Sequence, residues 1–448
     1  MIECDISTPR SLVIHPRVQK NSKDHAELKL EEAIGLAFAL ETDVVMSQIV
    51  PVRDIRPGTY FGGGKVEEFC QDIKRHKIGL LIINTALNPL QQRNLERDLK
   101  VKVIDRTGLI LEIFALRAAT REGRLQVELA RLEYERSRLV RTWTHLERQR
   151  GGQGFLAGPG ETQIEADRRM LATKIGRIKN DLEKVRKRRD LQRRKRERAP
   201  ERVVALVGYT NAGKSSLFNL LTQGGVMAKD MLFATLDTTH RIFPLPGGKP
   251  VILSDTVGFI SDLPTDLITA FRATLEEVKQ ADLLVHVRNM ADPMTETHRE
   301  DVLKVLDMLE AGPAHGQDLI EVWNKTDLLD RENYESLTER AHIQRKLARE
   351  FKHGGVKTEH AYMTSCLDGR GLDALRDGIE TVLSVSDNII RVKIVPKDFE
   401  VRAWLHQRGN VIDETTHKDG ACAMEVRLTP EDLGKLRAHY PQIKIYAA

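Results

Sequence analysis

Short apolar runs alternate with helical apolar spacing along the first part of the chain. Leu12–Ile14 and Leu80–Ile83 have the length and composition of buried strands, and Ala26–Leu40 has the spacing of a helix. Strands that alternate with helices favour a mostly parallel sheet. Residues 1–115 are therefore predicted to form a small N-terminal α/β domain. Its further elements are predicted strands at Val44–Val50 and Val101–Ile104 and a crossover helix at Gln91–Leu99.

The pattern becomes heptad-like in residues 116–200. One apolar series runs from Leu125 to Leu146 and another from Ile164 to Val185, at spacings of three, four and seven residues. Between them lies Gly151–Gly160, whose glycines and proline no helix could accommodate. This segment is predicted to be an antiparallel helical hairpin with a flexible tip.

Two further domains are predicted after the hairpin. Residues 201–385 alternate apolar strands with helices, as in a doubly wound α/β domain whose ligand loops follow the strands. Residues 386–448 are predicted to be a small α+β domain. Strands are expected at Val203–Val207, Val251–Ser254, Leu283–Val287, Leu319–Trp323, His360–Met363, Ile389–Ile394, Val401–His406 and Ala423–Leu428, and a helix near Pro430–His439.

The composition of the chain argues against several classes of protein and site. No run of 18 apolar residues occurs and the N-terminus lacks a basic-then-apolar signal, so we expect a cytosolic protein without membrane insertion. The four cysteines have no metal-ligand spacing, which argues against zinc and against a disulfide framework. Aromatic residues make up 5% of the chain, which disfavours a stacking platform for single-stranded nucleic acid.

The net charge of +5 is unevenly distributed. Residues 117–200 contain 24 Lys and Arg against 12 Asp and Glu, so the rest of the chain is net negative. The excess is concentrated in Lys184–Arg198, at the end of the second predicted helix. Such a run can be only a solvated helix face, but its shortage of acidic residues favours binding to RNA phosphates.

The strongest motif is Gly208–Ser215, which reads Gly-Tyr-Thr-Asn-Ala-Gly-Lys-Ser between a predicted strand and a predicted helix. This is a phosphate-binding loop in the required context. Its backbone N–H groups would surround phosphate oxygens, Lys214 would reach the β- and γ-phosphates, and the Ser215 hydroxyl would hold Mg²⁺. By contrast, Phe61–Lys65 is a weak glycine motif before a helix, and we interpret it as a turn rather than a phosphate site.

Three later motifs follow predicted strands in the order that guanine-nucleotide binding requires. Asp255–Gly258 supplies a carboxylate for the Mg²⁺ water shell and a glycine amide for the γ-phosphate. Asn324–Asp327 supplies Asp327, which can accept from the ring N–H and amine of guanine but not from adenine. Ser365 and Cys366 are expected to offer backbone donors to the guanine oxygen.

A switch segment, Phe233–His240, must present a hydroxyl to Mg²⁺ when a γ-phosphate is present. Thr235 and Thr239 are both candidates, and the residues alone do not choose between them. After Gly258 stands Phe259, where many GTPases place the glutamine that orients the attacking water, so another group or a partner must complete the site. Asn211 either helps hold an activating K⁺ or supports the geometry of the loop.

The chain resembles the HflX family of the Obg-HflX superfamily. The resemblance rests on Phe61–Glu68, Gln91–Leu95, Val103–Gly108, Gly158–Glu165, Gly208–Ser215, Phe233–Asp237 and Asp255–Phe259, and it covers residues 1 to 385. It implies a P-loop GTPase that binds the large ribosomal subunit and splits or rescues stalled ribosomes under stress such as heat. It also implies that the hairpin tip lies near the peptidyl-transferase region of ribosomal RNA.

The same resemblance selects Thr235 as the Mg²⁺ ligand and raises ATP binding by the N-terminal domain, for which the sequence offers only Phe61–Lys65. The family commonly has an apolar residue and an aspartate at the positions of Arg288 and Asn289. The resemblance does not explain this difference. Lys214, Asn211, Thr235 and Gly258 are the predicted catalytic residues, and Ser215 and Thr235 the metal ligands. The predicted GTP-binding residues are Gly208, Tyr209, Thr210, Asn211, Ala212, Gly213, Lys214, Ser215, Ser216, Phe233, Ala234, Thr235, Leu236, Asp237, Asp255, Thr256, Val257, Gly258, Asn324, Lys325, Thr326, Asp327, Ser365 and Cys366.

Two other functions are compatible with a regulatory GTPase attached to a basic hairpin. One is an RNA-remodelling or RNA-modifying protein, although helicase and methyl-donor motifs are not found. The other is a GTP-dependent adaptor for RNA or a membrane. The hairpin lacks an amphipathic face with aromatic anchors, which disfavours the membrane.

Overall fold

The computed structural model describes residues 8–18, 25–147, 163–196, 202–222, 232–233, 235–236, 238–247, 250–261, 272–350, 360–384, 387–417 and 420–447. Its chain divides into two compact units. The first consists of Met1–Gln192, Met227–Asp237 and Val257–Leu275. The second consists of Arg193–Val226, Thr238–Thr256 and Glu276–Ala448.

The first unit begins with a four-stranded, fully parallel sheet in the order β2-β1-β3-β4. Helices cover it, and its apolar core includes Phe69, Leu81 and Leu95. The predicted crossover helix begins at Pro89, where a capping box fixes its start: Asn88 accepts from the Gln91 amide, and the Gln91 side chain accepts in return. The strands are β1 (Arg10–Val18), β2 (Asp43–Val52), β3 (Leu80–Ile83) and β4 (Lys102–Asp105), and the helices are α1 (Ala26–Ala39), α2 (Gly63–His76), α3 (Pro89–Leu99) and α4 (Arg106–Arg117).

The two long helices α5 (Arg121–Glu147) and α6 (Gln163–Arg196) follow. Leu129 and Leu132 pack against Ile175 and Ile178, which are four residues on the predicted seams. The ion pair between Lys179 Nζ and Glu133 Oε1, at 2.8 Å, links the same turns. The predicted antiparallel hairpin is therefore confirmed, while its glycine-rich tip at Gly151–Gly160 lies outside the described residues.

The second unit contains a six-stranded sheet in the order β10-β9-β8-β5-β7-β6. All neighbouring strands are parallel except β6, which runs antiparallel to β7. This is the predicted doubly wound P-loop fold, although the edge strand β6 was not predicted. Its strands are β5 (Arg202–Val207), β6 (Thr239–Pro244), β7 (Pro250–Asp255), β8 (Leu283–Asn289), β9 (Asp318–Asn324) and β10 (His360–Met363). The helices are α7 (Lys214–Thr222), α8 (Arg272–Gln280), α9 (Thr295–Met308), α10 (Arg331–Glu350) and α11 (Leu372–Leu383).

The C-terminal elements form an antiparallel sheet in the order β12-β13-β11-β14, with a β-α-β-β-α-β succession. The predicted strand at Val401–His406 is wrong, because these residues lie in a helix. Val401 and Leu405 are one turn apart and both buried, so the apolar residues fit a helix face better than a strand. The elements are β11 (Asn388–Ile394), α12 (Phe399–Arg408), β12 (Asn410–Thr416), β13 (Cys422–Leu428), α13 (Pro430–His439) and β14 (Ile445–Ala447).

Candidate nucleotide site

The phosphate-binding loop joins β5 to α7 and depends on two glycines in left-handed conformations. Gly208 has φ +150°, and a Cβ there would lie 2.2 Å from the Val287 carbonyl oxygen. Gly213 has φ +96°, and a Cβ there would lie 2.2 Å from Asn324 Nδ2. Glycine is required at both positions because backbone or a buried amide occupies the space of any side chain.

Asn324, at the end of β9, braces this loop. Its Nδ2 donates to the Ala212 carbonyl at 2.9 Å, and its Oδ1 accepts from Thr364 Oγ1 at 3.3 Å. The side chain is 1% exposed, so both hydrogen bonds are shielded from water. Asn324 therefore ties the phosphate loop to the ends of two neighbouring strands.

Lys214 is buried at the first residue of α7. Its Nζ donates to the carbonyls of Gly208 at 3.1 Å and Tyr209 at 2.8 Å. Burial lowers the pKa of Lys214 to about 8, and the charge of Asp255 partly opposes that shift. The ammonium group is thus held within the loop, where the negative charge of a phosphate would stabilise it.

Ser215 and Asp255 form the oxygen-rich corner of the site. Ser215 Oγ donates to Asp255 Oδ2 at 2.7 Å, and Asp255 is fully buried at the end of β7. The neighbouring Thr256 hydroxyl donates to the Leu206 carbonyl at 2.6 Å, which joins β7 to β5. A hydroxyl beside a carboxylate is the hard donor set that Mg²⁺ prefers, so these residues fit the predicted ion.

The predicted base-recognition residues lie in two loops after β9 and β10. Thr326 Oγ1 donates to the Thr364 carbonyl at 2.9 Å and joins the loops, while Asp327 follows it in a half-buried 3₁₀ turn. The Ser365 amide donates to the Arg370 carbonyl at 3.1 Å, so this predicted donor already has an acceptor within its own loop. Burial raises the pKa of the Cys366 thiol to about 11, which keeps it neutral.

Asn211 and Lys325 lie close together, and both have positive φ, +58° and +61°. Lys325 Nζ donates to Asn211 Oδ1 at 3.4 Å. This contact fits the interpretation in which Asn211 supports the geometry of the loop. The amide oxygen is also a hard ligand of the kind that binds K⁺, so both interpretations remain.

The residues predicted to respond to the γ-phosphate belong to chain segments of the first unit: Phe233, Thr235, Leu236, Val257 and Gly258. The Phe233 ring meets Phe114 of α4 edge-on, with centroids 4.7 Å apart, and Phe233 has φ +57°. Phe259 is 2% exposed, so its side chain is packed in the protein. Ala234 and Asp237 lie outside the described residues.

A buried cluster of charges beside the phosphate loop was missed from the sequence. Glu321 of β9 accepts from Arg288 Nη1 at 2.9 Å and from Trp323 Nε1 at 2.8 Å, and it also pairs with Arg299. The sequence did contain a signal for this cluster, since charged residues occupy neighbouring positions in two otherwise apolar strands. The cluster accounts for the unexplained Arg288, whose guanidinium group pairs with the buried Glu321 and also with Glu296 at 2.9 Å.

Helix α9, which carries Arg299 of this cluster, also contacts the loop. The Tyr209 ring stacks on His298 of α9, with centroids 3.6 Å apart and planes 11° apart. His298 in turn pairs with Asp292 at 3.1 Å. Helix α9 therefore supports the phosphate loop from behind.

The described residues limit which other kinds of site the protein could have. Within these ranges no cluster of three or more His, Cys, Asp or Glu could hold a metal ion. None of the helices in the described part of the chain is long and apolar enough to cross a membrane.

In the weak glycine motif Phe61–Lys65, helix α2 begins at Gly63, and Lys65 pairs with Glu68.

Comparison with known proteins identifies the family to which the chain belongs. Models described as GTP-binding GTPase N-terminal, GTP-binding GTPase Middle Region, 50S ribosome-binding GTPase and HflX C-terminal domain match residues 27–115, 117–196, 203–325 and 351–443. A GTPase HflX of Magnetococcus marinus is 44% identical over 437 residues, which are 98% of this chain and 96% of that protein. The chain belongs to the HflX family of GTPases.

Another relative and a solved structure are also similar to this chain. GTPase HflX of Escherichia coli is 41% identical over 390 residues, 87% of each chain. The crystal structure of a GTP-binding protein from Sulfolobus solfataricus in complex with GDP is 24% identical, covers 84% of this chain and 99% of that one, and has a TM-score of 0.45. Family membership confirms the resemblance seen in the sequence. The protein is a GTP hydrolase of the HflX family with a ribosome-binding GTPase domain.

Proposed function

We propose that this HflX protein binds the large ribosomal subunit and its ribosomal RNA, hydrolyses GTP to GDP and phosphate there, and splits or rescues stalled ribosomes under stress. One observation carries the proposal: Phe259, which follows Gly258, is buried and apolar. A phenyl ring cannot orient the attacking water, so another group must do so, and in this proposal the ribosomal partner completes the site.

The basic hairpin supports a ribosomal partner. Lys174, Arg177 and Lys187 are exposed on α6, and this helix belongs to the most basic segment of the chain. Lysine and arginine on one helix supply the sequence-independent attraction to RNA phosphates. Such a surface fits structured RNA better than a protein or a membrane.

In this proposal Ser215 and Thr235 hold Mg²⁺ directly, and Asp255 acts through the ion's water shell. The ion would neutralise charge on the β- and γ-phosphates. Lys214 would do the same from the loop, and Gly258 would offer its amide to the γ-phosphate. Asn211 would hold K⁺ near the same oxygens.

The test is GTP turnover with and without purified large subunits, in potassium buffer. We expect the subunits to increase turnover by about tenfold or more, because they complete the site at Phe259. Lys214→Ala is the control, since its turnover should stay low in both conditions. Good GTP binding without stimulation would contradict the proposal and favour a GTP-dependent RNA-binding adaptor or RNA-remodelling regulator.

A sodium buffer gives the matching test of K⁺. If Asn211 holds the ion, replacing K⁺ with Na⁺ slows turnover in the wild type but not in Asn211→Ala. Equal rates in both buffers would assign Asn211 to loop geometry alone.

A further inference from the structure

Two adjacent residues, the last of β4 and the first of α4, bond to different parts of the first unit. The first, Asp105, is 1% exposed and joins this domain to the hairpin. Its Oδ1 accepts from the Tyr134 hydroxyl at 2.6 Å, and its Oδ2 accepts from Arg138 Nη2 at 2.6 Å. Burial and the charge of Asp105 together raise the pKa of Tyr134, which therefore stays a neutral donor. Helix α5 is thus fixed to Asp105 by two residues one turn apart.

The second residue, Arg106, bonds to the segment after Gly258. Its Nη2 donates to the Ser261 carbonyl at 3.0 Å and to Glu32 Oε2 at 3.0 Å. Its Nη1 donates to Asn84 Oδ1 at 2.7 Å. The guanidinium group is buried, so these bonds form away from water.

From these contacts we propose that Arg106 is a positioning residue for the GTPase reaction, and that Asp105 and Arg106 connect the hairpin to the segment Gly258–Ser261. Arg106 fixes the backbone of this segment three residues from Gly258, the residue whose amide is to meet the γ-phosphate. The part of the proposal that concerns the hairpin rests on the proposed function, in which the hairpin binds ribosomal RNA.

The surroundings of Arg106 make it rigid. Asn84 and Glu32 come from different elements and hold the guanidinium group on two sides, and Asn84 is itself bonded to the Lys29 carbonyl at 3.0 Å. A planar group held by several partners transmits a displacement better than a flexible ammonium group would. Movement of β4 or of Asp105 would therefore reach Ser261.

Two further contacts join Leu232 and Phe233 to the N-terminal helices α1 and α4. Phe233 meets Phe114 near the other end of α4, and a Cβ added at Gly35 of α1 would lie 3.1 Å from Leu232 Cδ1. Both contacts are apolar and non-directional. Arg106 supplies a directional bond to the backbone, and it is the contact to test.

Hydrogen exchange of Phe259–Ser261 measures the positioning without ribosomes. Arg106→Lys keeps a positive charge beside Glu32 but lacks the fork that reaches Ser261 and Asn84 together. We expect about tenfold faster exchange in this segment, the effect of losing one hydrogen bond from a charged donor. The control is Arg117→Lys at the end of α4, where Nη2 donates to the Ala39 carbonyl at 3.2 Å.

Turnover separates positioning from folding. Arg106→Lys should lower kcat for GTP several-fold and leave affinity for GDP unchanged, because GDP has no γ-phosphate for Gly258 to meet. Unchanged exchange and kcat would overturn the proposal. Equal effects in Arg117→Lys would also overturn it, since they would indicate a general loss of stability.

Tyr134→Phe tests the connection to the hairpin by removing one hydroxyl from α5. Exchange in Phe259–Ser261 should rise, and the double variant with Arg106→Lys should show less than the sum of the two effects. Ser137→Ala is the control, since this hydroxyl donates within α5 to the Tyr134 carbonyl. Additive effects would overturn the connection. Wild-type protein that large subunits fail to stimulate would overturn the proposed function, while the exchange data still decide the role of Arg106.

Discussion

At the scale of single residues, Lys214 places a buried positive charge where the negatively charged phosphates would bind. Its ammonium group is buried against backbone carbonyls, and burial lowers its pKa to about 8. Phosphates would raise that pKa, so above pH 8 nucleotide binding must be accompanied by proton uptake. A bound phosphate would offset the cost of burying this charge.

We therefore predict that affinity for GTP is constant below pH 8 and falls as pH rises above it, by up to about tenfold per pH unit. Calorimetry in two buffers of different ionisation enthalpy would measure both the affinity and the proton uptake. Lys214→Arg is the control, since its guanidinium stays charged and its affinity should not fall between about pH 7 and 9. An affinity that is equally flat in the wild type would contradict the prediction.

Glu321 is a buried charge whose partners determine its protonation. Burial alone would raise its pKa, but the charge of Arg288 and the hydrogen bonds of its other partners lower it to about 2. A carboxylate with a lowered pKa stabilises the fold above its unfolded pKa of about 4.3 and loses that contribution as pH falls towards 2. This cluster should therefore limit the acid stability of the GTPase domain.

The matching prediction is that Glu321→Gln lowers the free energy of unfolding at neutral pH by about 3 kcal/mol, because it removes the buried carboxylate that pairs with Arg288 and Arg299. Arg288 then keeps its pair with Glu296, whose side chain is exposed. Urea unfolding followed by far-ultraviolet circular dichroism measures the free energy of unfolding. Glu335→Gln removes half of an exposed pair with Arg331 and should cost less than about 1 kcal/mol. Equal losses in the two variants would mean that Glu321 adds nothing beyond a surface pair.

At the scale of elements, apolar periodicity predicted most of the structure. It located β3 and β10 with their observed bounds and both helices of the hairpin. It failed at α12, where Val401, Trp404 and Leu405 resemble a strand in composition, and only packing against the C-terminal sheet makes the helix spacing decisive. It missed β6 and β12, whose exposed and charged residues leave no alternating pattern.

Helix α11 packs closely against β10, and the sequence signal for this contact is a glycine inside the helix. A Cβ added at Gly378 would lie 2.2 Å from Tyr362 Cζ and 2.3 Å from its hydroxyl oxygen. We predict that Gly378→Ala lowers the free energy of unfolding by about 1–3 kcal/mol, because the ring must shift within a packed core. Gly434→Ala in α13 meets nothing within 4 Å and should instead stabilise by about 0.5–1 kcal/mol. Thermal unfolding would compare the two, and stabilisation by both would contradict the predicted clash.

At the scale of the whole molecule, the sequence predicted the order of domains and the nucleotide motifs, because each motif is local and follows a strand. It could not predict the bonds of Asp105 and Arg106, since these join residues far apart in the chain: Arg106 with Ser261, and Asp105 with Tyr134. Motif positions follow from local sequence, whereas the contacts between them depend on the tertiary fold.

At the same scale, the uneven distribution of charge along the chain leads to a testable prediction about RNA binding. The hairpin segment is strongly basic and the rest is net negative, so location rather than net charge should govern RNA binding. We predict that neutralising Lys187, Arg188 and Arg189 weakens binding to ribosomal RNA and reduces the slope of log affinity against log salt by roughly one for each lost phosphate contact.

The control removes the same number of positive charges from exposed residues outside the hairpin, Lys304, Arg331 and Arg391. Both variants have the same net charge, so a long-range effect of total charge would weaken them equally. A local phosphate contact would change only the hairpin variant, because charges more than about 10 Å from the RNA are screened at ordinary salt. Equal slopes in the two variants would mean that the basic run on α6 is a solvated helix face and that the ribosome is recognised elsewhere.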